Sequence, residues 1–555
     1  MSVHEIDAPT AYFFNLEKVS KKQNEMYCLT KPDGRKTFDA REMRKIAVDF
    51  YSNLYRKEET ENECVSQILQ QLPSLTKPQR ENLDSTVSFE ELTDAVKQMK
   101  TGRAPGIDGL SVDFFKAVWN YIGKDFYEVI QECFKEKRLP TSCQRAVLTL
   151  LPKKGDLSDL KNWRPVSILT TDYKLIAKVL ANRLKTVLGD VIHQDQSYCI
   201  PERTIYDNIF MIRDILDYSK LYEVNVGFLF LDQEKAFDRV DHGFLYDTMS
   251  AFGFGDGFIS WIKLLYMNAS CILKIGGGLS KPISLLKGIR QGCPLSGQLY
   301  ALAVEPLLCI LRKELSGLNI DGNGNAFKLT AYADDITVIV KDQRDIDVVI
   351  YSISLYERAS SAKLNWSKTE AFWCNDKDKY YHVNAKPVIP GNVKWEKDGF
   401  KFLGIFLGSE VHQRKNWEGV KDKICNKLSK WNWILPQLSY RGRVLVVNNL
   451  AASILWHKLI VLNPPDELIR EIQRVLVNLF WNGQHWLRES VLYLQLSEGS
   501  QGLMDIKSKV AAFRLQIVQR LLYNQPQNWT KIACALLKRV GRMNLDRHLF
   551  LMNLK

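Results

Sequence analysis

FKLTAYADDITVIVK, from Phe327 to Lys341, is the most informative stretch of this chain. The apolar and β-branched residues on either side of Ala333-Asp334-Asp335 predict two strands joined by a tight turn. Asp is an ordinary turn residue, so an Asp pair alone carries little meaning. An Asp pair held between two apolar strands is more informative, and this stretch predicts a hairpin with Asp334 and Asp335 at its tip.

A third carboxylate ends another strand earlier in the chain. Val224 to Asp232, VNVGFLFLD, predicts a buried strand whose last residue is Asp232. Three carboxylates on adjacent strand ends supply hard oxygen ligands and can hold two Mg²⁺ ions, with Mn²⁺ as a possible substitute. Two such ions clamp the attacking and leaving oxygens of an in-line phosphoryl transfer. The three Asp residues are therefore candidate metal ligands and catalytic residues.

The rest of the pattern mixes strands and helices and then becomes helical. Ser88 and Glu91 form a capping box that begins a helix before a run of breakers at 101–106. Further elements are predicted at these positions: helices at 38–55, 112–136, 174–188 and 344–362, a strand at 146–152, a hairpin at 270–287 and a last single strand at 401–407. Beyond Glu410 the pattern is helical. This order predicts an α+β fold with an all-α C-terminal extension.

The excess positive charge lies at the C-terminal end of the chain. The 555 residues carry a formal net charge of +13, and residues 411–555 contain 22 Lys and Arg against 9 Asp and Glu. This asymmetry is typical of a module that binds a polyanion, although a solubilising surface accounts for it equally well. Hydrophobic and charged contents of 46% and 25% exclude a mainly disordered chain.

The sequence carries no pattern for export or for zinc binding. Its 11 cysteines form no C-x-x-C pair, which argues against a disulfide scaffold and a zinc knuckle. The N-terminus lacks the features of a secretory signal, and no uninterrupted apolar run approaches ~20 residues. We expect an intracellular protein with reduced thiols, in the nucleus, the cytoplasm or both, and without a membrane partner.

Several ordered motifs resemble those of one protein family. Tyr332 to Asp335 is similar to the Y/F-x-D-D signature of reverse transcriptases, Asp232 to Val240 resembles their D-x-x-K-A-F-D motif, and Gly288 to Ser296 resembles G-x-R-Q-G-C-P-L-S. Six further stretches resemble the non-LTR, LINE-type branch: GRAPGIDGL at 102–110, NWRPVSIL at 162–169, AKVLANRL at 177–184, DNI at 207–209, LNWSKTE at 364–370 and FLGIFLG at 402–408. The resemblance is dense over about residues 85–410 and looser in the tail.

The resemblance implies a fold and an activity. The fold is a right-hand polymerase, with an N-terminal linker-like helical region (1–85), fingers and an antiparallel palm (86–410), a helical thumb (411–460) and a basic helical region (461–555). The activity is RNA-directed DNA polymerisation, in which a DNA 3′-hydroxyl is extended on an RNA template. The implied partners are template RNA, a DNA primer end and dNTPs.

The resemblance also implies roles for individual residues. Asp232, Asp334 and Asp335 correspond to the metal ligands, and Phe237 to a steric gate against a 2′-hydroxyl, although core packing is the usual fate of a Phe. Nucleotide contacts are implied for Gln291, Gly292, Arg164 with Lys153 or Lys154, and Lys368, the last as a proton donor to pyrophosphate. Nucleic-acid contacts or plain solvated surface are open alternatives for Lys174, Lys178, Lys185, Arg441 and Arg443.

Two departures from the family pattern bear on activity. Where the family reads Q-x-G-F-x-P-G-R, this chain has QSYCIPER at 196–203, with Tyr198 and Glu202 at glycine positions. We expect this change to weaken the grip on the template. The chain also begins at a linker-like stretch, Thr10 to Lys18, so we expect the polymerase portion of an element protein without its endonuclease domain, and a nick supplied by another protein.

Other functions remain open from the sequence. A group II intron maturase or an RNA virus replicase would use a similar set of carboxylates. A catalytically impaired element relic, or a co-opted protein that only binds RNA, would keep the basic tail without turnover.

Overall fold

The computed structural model describes residues 26–320, 326–374, 386–391, 393–483, 485–523 and 527–540. The linker-like stretch Thr10 to Lys18 lies outside the described residues, as do residues 541–555 of the basic tail. The described chain mixes helices and strands up to residue 408, and the described part beyond it contains helices only. The prediction of an α+β fold with an all-α extension is confirmed.

The elements fall into three stretches of chain. The first contains β1 (Leu29–Thr30), β2 (Lys36–Thr37), α1 (Ala40–Leu54), α2 (Asn62–Leu69), α3 (Lys77–Asp84), α4 (Phe89–Gln98), α5 (Val112–Lys135), α6 (Thr141–Gln144), β3 (Arg145–Pro152), β4 (Trp163–Ile168), α7 (Thr171–Lys185) and α8 (Leu188–Val191). The second contains α9 (Ile205–Tyr222), β5 (Val226–Leu231), α10 (Ala236–Arg239), α11 (His242–Ala251), α12 (Asp256–Tyr266), β6 (Ser270–Ile275), β7 (Gly278–Leu279), β8 (Ile283–Ser284), α13 (Ser296–Glu314), β9 (Leu318–Asn319), β10 (Ala326–Phe327), β11 (Leu329–Tyr332), β12 (Asp335–Val340), α14 (Gln343–Ser360) and β13 (Glu370–Cys374). The third contains β14 (Trp395–Glu396), β15 (Gly399–Phe402), β16 (Ile405–Gly408), α15 (Glu410–Arg414), α16 (Val420–Ser429), α17 (Tyr440–Leu445), α18 (Ser453–Val461), α19 (Asp466–Trp481), α20 (Glu489–Leu492), α21 (Ile506–Tyr523) and α22 (Asn528–Val540).

The carboxylate sheet, our name for strands β11, β12, β5, β13 and β14 in that order, carries the predicted site. Strand β12 is antiparallel to β11 and to β5, and Tyr332 pairs with Asp335 across the hairpin turn. The register pairs Ile336 with Leu231, which sets Asp232 next to Asp335 at one edge of the sheet. The predicted convergence of the two strand ends is therefore confirmed.

The strands of the carboxylate sheet are continuous apolar runs because both faces of the sheet are covered. On one face, Leu229 and Val338 join a hydrophobic core with Leu299 of α13, a helix buried along most of its length. On the other face, Phe228 joins a core with Phe210 of α9. Helices on both faces hold the edge with the carboxylates in a fixed position.

A second sheet supports the loop that follows β8. It consists of β4, β3, β6 and β7, with β8 also paired to β6. Strand β3 is parallel to β6 and antiparallel to β4. The backbone N–H of Ser167 in β4 donates to the carbonyl of Gln291 at 2.7 Å, which ties the 288–292 loop to this sheet.

Most predicted elements are confirmed to within a few residues. The Ser88 hydroxyl accepts from the Glu91 N–H at 3.2 Å and the Glu91 carboxylate accepts from the Ser88 N–H at 2.9 Å, so the capping box begins α4 as predicted. The other confirmed elements are α1, α5, α7 and α14 among the helices, β3 and β5 among the strands, and the β6 hairpin with β7 and β8.

The single strand predicted at 401–407 is wrong. The segment is a hairpin of β15 and β16, in which Phe402 pairs with Ile405 around a two-residue turn. Both turn residues have positive φ, +44° at Leu403 and +88° at Gly404, as a type I′ turn requires. Leu seldom adopts this conformation, so the apolar run at 401–407 gives no indication of a turn at Leu403.

Helices α16 to α21 share one hydrophobic core that runs from Val420 to Phe513. This core crosses residue 460, so the division into 411–460 and 461–555 stays a prediction. The helix Tyr440–Val461, which is π-helical at Val446–Ala452, is long and apolar enough to cross a membrane by length and composition alone. That finding differs from the sequence-based expectation. Leu455, near the middle of this helix, is fully buried in the shared core, which accounts for the apolar composition.

Candidate active site

Three carboxylates form the electrostatic centre of the site. Burial raises the pKa of Asp335 to about 6, and the charges of Asp334 and Asp232 push it in the same direction. Burial also raises the pKa of Asp232, while Lys368 lowers it, Asp334 raises it and Lys153 lowers it. These mutual effects place the three negative charges in one small region.

The donor set suits a divalent cation without forming a closed cage. Within the described residues, no three His, Cys, Asp or Glu side chains are grouped so as to hold a metal ion by themselves. Mg²⁺ at phosphoryl-transfer sites is held by one or two carboxylates together with substrate phosphates and water. Asp232 and Asp335 line a cavity of about 180 Å³, and a cation there would relieve their repulsion. The residues fit Mg²⁺, and the two-ion arrangement stays a prediction.

Two lysines direct positive charge at the carboxylates. Lys368 is exposed and lines the cavity beside Asp232. Lys153, which follows β3, lowers the pKa values of both Asp232 and Asp238. The sequence left Lys153 and Lys154 as alternatives for a phosphate contact, and the charge of Lys153 is the one that reaches the carboxylates.

Arg164 lies on β4 opposite Leu151, with an exposed side chain. The neighbouring end of β3 leads into Lys153, whose N–H donates to the Asn162 carbonyl at 2.7 Å. Arg164 and Lys153 therefore belong to the same end of the second sheet. A triphosphate contact by Arg164 stays a prediction.

Phe237 lies in an aromatic cluster at the site. Its ring stacks on Tyr300 with centroids 4.3 Å apart, and it meets the edge of Tyr198 at 6.3 Å. Tyr198 in turn contacts Tyr332, the residue before the hairpin turn, at 5.2 Å. Phe237 is only half-buried, so one part of its ring is accessible to a nucleotide sugar. Its role as a steric gate stays a prediction.

Tyr198 and Glu202 show how the QSYCIPER segment accommodates its missing glycines. Tyr198 does not have a positive φ, whereas Cys199 at +58° and Glu202 at +63° do. The backbone freedom that a glycine supplies is therefore needed at Glu202 but not at Tyr198. The expected weakening of the template grip stays a prediction.

Gln196 supports the catalytic turn, and the sequence analysis did not identify this role. The fully buried Gln196 side chain accepts from the Ala333 N–H at 3.2 Å and donates to the Ala333 carbonyl at 3.5 Å. Its backbone also forms a parallel bridge with Ala331. Ala333 has φ +55° and stands directly before Asp334, so Gln196 holds the strained residue of the turn. The position of Gln196 within a family motif was the available signal.

A second buried polar side chain, that of Asn208, supports the same strand. Asn208, at the start of α9, donates to the Thr330 hydroxyl at 2.6 Å and to the Ala331 carbonyl at 2.8 Å. The Asp195 carbonyl accepts from the Ala331 N–H at 2.9 Å. The DNI motif at 207–209 therefore has a structural role behind the hairpin, which a motif match alone does not reveal.

Gln291 and Gly292 lie between the two sheets. The Gln291 side chain donates to the Asp238 carboxylate at 3.3 Å. Gly292 has φ +111°, and a Cβ there would come within 2.5 Å of the Ser167 carbonyl oxygen. Gly292 is therefore required for close approach of the loop to β4. This packing explains the glycine without a ligand, and the nucleotide contacts stay predictions.

The weaker candidate residues lie in two places. Lys174 and Lys178 are half-buried on α7, where burial lowers their pKa values, and Lys185 is exposed at the end of that helix. In the C-terminal helices, Arg441 is exposed, whereas Arg443 donates to the Phe480 carbonyl at 2.9 Å. Arg443 is thus partly committed to helix packing, and Arg441 is free to meet a phosphate.

Comparison with known proteins agrees with this geometry. A family profile described as "Reverse transcriptase (RNA-dependent DNA polymerase)" matches residues 151–407. Residues 151–407 are a reverse transcriptase domain. The reverse transcriptase domain contains both strands of the β11 and β12 hairpin, the carboxylates and the 288–292 loop, and its end coincides with β16.

The relatives of this chain are proteins of transposons and other mobile elements. "Transposon TX1 uncharacterized 149 kDa protein" of Xenopus laevis is 41% identical over 549 residues, 99% of this chain and 42% of that protein. A Pol polyprotein from the retrotransposable element R2 of Popillia japonica is 23% identical, over 81% of this chain and 62% of that protein. "RNA-directed DNA polymerase from mobile element jockey" of Drosophila funebris is 22% identical, over 67% of this chain and 41% of its own length. The chain spans less than two thirds of each of these relatives.

Among solved structures, a telomerase from Candida tropicalis in complex with a fragment of telomeric RNA is similar to this chain. The identity is 13% and the TM-score 0.38, over 76% of this chain and 68% of the telomerase.

Proposed function

We propose that this chain is an RNA-directed DNA polymerase of a LINE-type retrotransposon that extends a DNA 3′-hydroxyl on an RNA template. The observation that carries the proposal is the meeting of Asp232, Asp334 and Asp335 at one sheet edge within a reverse transcriptase domain. A second support is the set of positive side chains, Lys153 and Lys368, directed at those carboxylates.

The proposed mechanism assigns each step to a group of this chain. Asp232, Asp334 and Asp335, together with substrate phosphates and water, would hold Mg²⁺, which when bound would supply the positive charge that lowers the pKa of the primer hydroxyl and neutralises the departing pyrophosphate. Gln196 and Asn208 keep the hairpin turn in place, so the carboxylates need little reorganisation when substrate arrives. Lys368, beside Asp232, is positioned to donate a proton to the leaving pyrophosphate.

The finer architecture and the partners belong to the same proposal. We infer a right hand in which the carboxylate sheet is the palm, the second sheet with α4, α5 and α7 forms the fingers, and the helices after β16 form the thumb and the basic region. Template RNA, a primer end and dNTPs are the proposed partners. A nick made by another protein would supply the primer. The chain would then need access to nuclear DNA, whether it enters the nucleus from the cytoplasm or resides in the nucleus.

Primer extension with the purified chain tests the proposal. The substrate is an RNA template annealed to a DNA primer, with dNTPs and Mg²⁺, and the variants are Asp334→Ala and Asp335→Asn. We expect extension by the wild type, loss to background in both variants, and recovery with Mn²⁺ after chelation of Mg²⁺. Asp347→Ala, an exposed carboxylate on α14, is the matched control and should extend like the wild type.

The alternatives give different results in the same assay. Tight, salt-sensitive RNA binding without extension would contradict the polymerase proposal and favour a relic or a co-opted RNA-binding protein. Incorporation of rNTPs in preference to dNTPs would indicate an RNA replicase instead.

A further inference from the structure

The N-terminal part of the chain reaches the nucleotide site through one buried tyrosine. Tyr55 follows α1 and lies outside the matched reverse transcriptase domain. It is 4% exposed, and its hydroxyl donates to one oxygen of the Asp238 carboxylate at 3.1 Å. Its carbonyl accepts from the Leu286 N–H at 3.2 Å, just before the 288–292 loop. Tyr55 therefore contacts the Asp232 to Val240 motif at Asp238, and also the residue two positions before the 288–292 loop.

Asp238 connects Tyr55 to Gln291. The Asp238 side chain is 4% exposed, and its second oxygen accepts from the Gln291 amide nitrogen at 3.3 Å. The loop with Gln291 is laid directly on the segment around Asp238, since a Cβ at Gly288 would come within 2.7 Å of the Asp238 carbonyl oxygen. Each carboxylate oxygen thus has one donor, and the acceptor geometry requires the NH₂ group of Gln291 to face Asp238.

We propose that Tyr55 and Asp238 are positioning residues that fix the side-chain amide of Gln291 toward the incoming nucleotide. With its NH₂ group held by Asp238, the amide of Gln291 turns its oxygen away from Asp238 and leaves it to accept a hydrogen bond. The proposal rests on the proposed polymerase function. It adds a contribution from the N-terminal region, because without the Tyr55 hydroxyl the Asp238 carboxylate loses one of its two donors, and the group that holds the Gln291 amide is less firmly fixed.

The chain offers a matched control within one turn of the same helix. Tyr51 is fully buried and stacks on Tyr55, with ring centroids 5.9 Å apart. Its hydroxyl is buried without a hydrogen-bond partner in the part of the chain that the structure describes. Tyr51→Phe and Tyr55→Phe therefore remove the same atom from the same core, but only the second breaks the connection to Asp238.

Single-nucleotide primer extension with each variant tests the proposal. For Tyr55→Phe we expect the KM for dNTP to rise roughly three- to tenfold, the effect of one hydrogen bond to a charged network, while kcat changes less than twofold. Tyr51→Phe should leave both constants unchanged. A double-mutant cycle with Gln291→Ala should abolish the additional effect of Tyr55→Phe, because the amide that Tyr55 positions is gone.

The outcomes separate this inference from the proposed function. The positioning role is overturned, and the proposed function is not, if the wild type extends the primer but Tyr55→Phe leaves the KM for dNTP unchanged. The same holds if the effects of Tyr55→Phe and Gln291→Ala are additive in the double variant. A wild type that does not extend contradicts the proposed function and this inference with it. Thermal melting of all variants shows whether each is folded. If Tyr51→Phe and Tyr55→Phe lose the same stability and have the same kinetic effects, Tyr55 is a packing residue and the positioning role is overturned.

Discussion

At the residue scale, the site depends on buried polar side chains that never touch a substrate. Gln196, Asn208 and Asp238 each hold a backbone or side-chain group that leads to the carboxylates or to Gln291. Buried polar groups of this kind are costly when one partner is removed, because the remaining partner keeps its desolvation penalty. They therefore fix one geometry where an apolar core would tolerate several.

We expect Gln196→Met to lower kcat by about tenfold or more, since it removes both side-chain hydrogen bonds that hold the Ala333 peptide. The KM for dNTP should change little, because Gln196 lies behind the turn. Gln194→Met changes an exposed glutamine two residues away and should leave kcat as in the wild type. Equal values of kcat in the two variants would contradict the role of Gln196.

Asp238 predicts a pH-dependent contribution to stability. Burial raises its pKa from 3.8 to about 6, although Lys235, Tyr55, Lys153 and Gln291 oppose the shift. The folded state therefore binds one more proton than the unfolded state between about pH 4 and 6, and this group lowers stability as the pH rises through that window.

Chemical denaturation of the wild type and Asp238→Asn at a series of pH values measures this contribution. The free energy of unfolding of the variant minus that of the wild type should increase between pH 4 and a pH above 6, by on the order of 3 kcal/mol. Asp238→Asn also alters the hydrogen bonds with Tyr55 and Gln291. The free-energy cost of that change is the same at every pH, so it does not affect how the difference between variant and wild type depends on pH. A difference that is flat across the window would show that Asp238 titrates normally in the folded chain.

At the scale of single elements, turn conformation decides the hairpin of β15 and β16. Gly404, with φ +88°, supplies the second left-handed residue of the turn, and the His457 ring N–H donates to the adjoining Leu403 carbonyl at 2.9 Å. The hairpin borders the carboxylate cavity through Lys401, Phe402 and Leu403. Its turn therefore contributes to the wall of the site.

Gly404→Ala should destabilise the chain by about 1–2 kcal/mol, the cost of a left-handed conformation for an L-residue with a Cβ. Gly189→Ala is the control, because that glycine lies in α8 without a positive φ and a Cβ there meets no atom within 4 Å. We expect the control to be neutral or slightly stabilising in thermal unfolding. Equal loss of stability in both variants would argue against the strained turn.

At the scale of the whole molecule, the reverse transcriptase domain is joined to both ends of the chain. Tyr55 and Glu58 from the N-terminal part contact Asp238 and Lys287, and Asn528 of α22 donates to Asp195 at 2.6 Å. Contacts with the domain thus come from both ends of the chain, whereas the excess positive charge lies at one end only, beyond residue 410. Binding of a polyanion should therefore depend mainly on the C-terminal helices.

Arg441 provides a direct test of that dependence, since it is exposed on α17 and has no hydrogen-bond or ion-pair partner among the residues that the structure describes. Arg441→Gln should weaken RNA binding and reduce the slope of log affinity against log salt by about 0.7, the value for one phosphate contact on a single strand. Arg35→Gln removes an exposed arginine of the N-terminal part that pairs with Asp33, and should leave the slope unchanged. An unchanged slope for Arg441→Gln would identify the tail charge as a solubilising surface.

Local patterns were sufficient to predict the order of elements and the meeting of the three carboxylates at the strand ends. Apolar periodicity marks β5 and the hairpin of β11 and β12, because each strand must bury its side chains on a sheet covered on both faces. Asp232, Asp334 and Asp335 then follow from their places at the strand ends. The hairpin of β15 and β16 was missed because Leu403 has a positive φ, a conformation that a Leu in an apolar run does not predict.

The support of the site could be seen only in the folded chain. The contacts of Gln196 with Ala333, of Asn208 with Thr330 and of Tyr55 with Asp238 join residues that are more than a hundred positions apart. No periodicity or spacing encodes such a contact, since it depends on how whole sheets and helices pack. The sequence thus indicates which groups are proposed to do the chemistry, whereas the tertiary structure decides which buried polar groups hold them, because only packing brings donors and acceptors into the same dry interior.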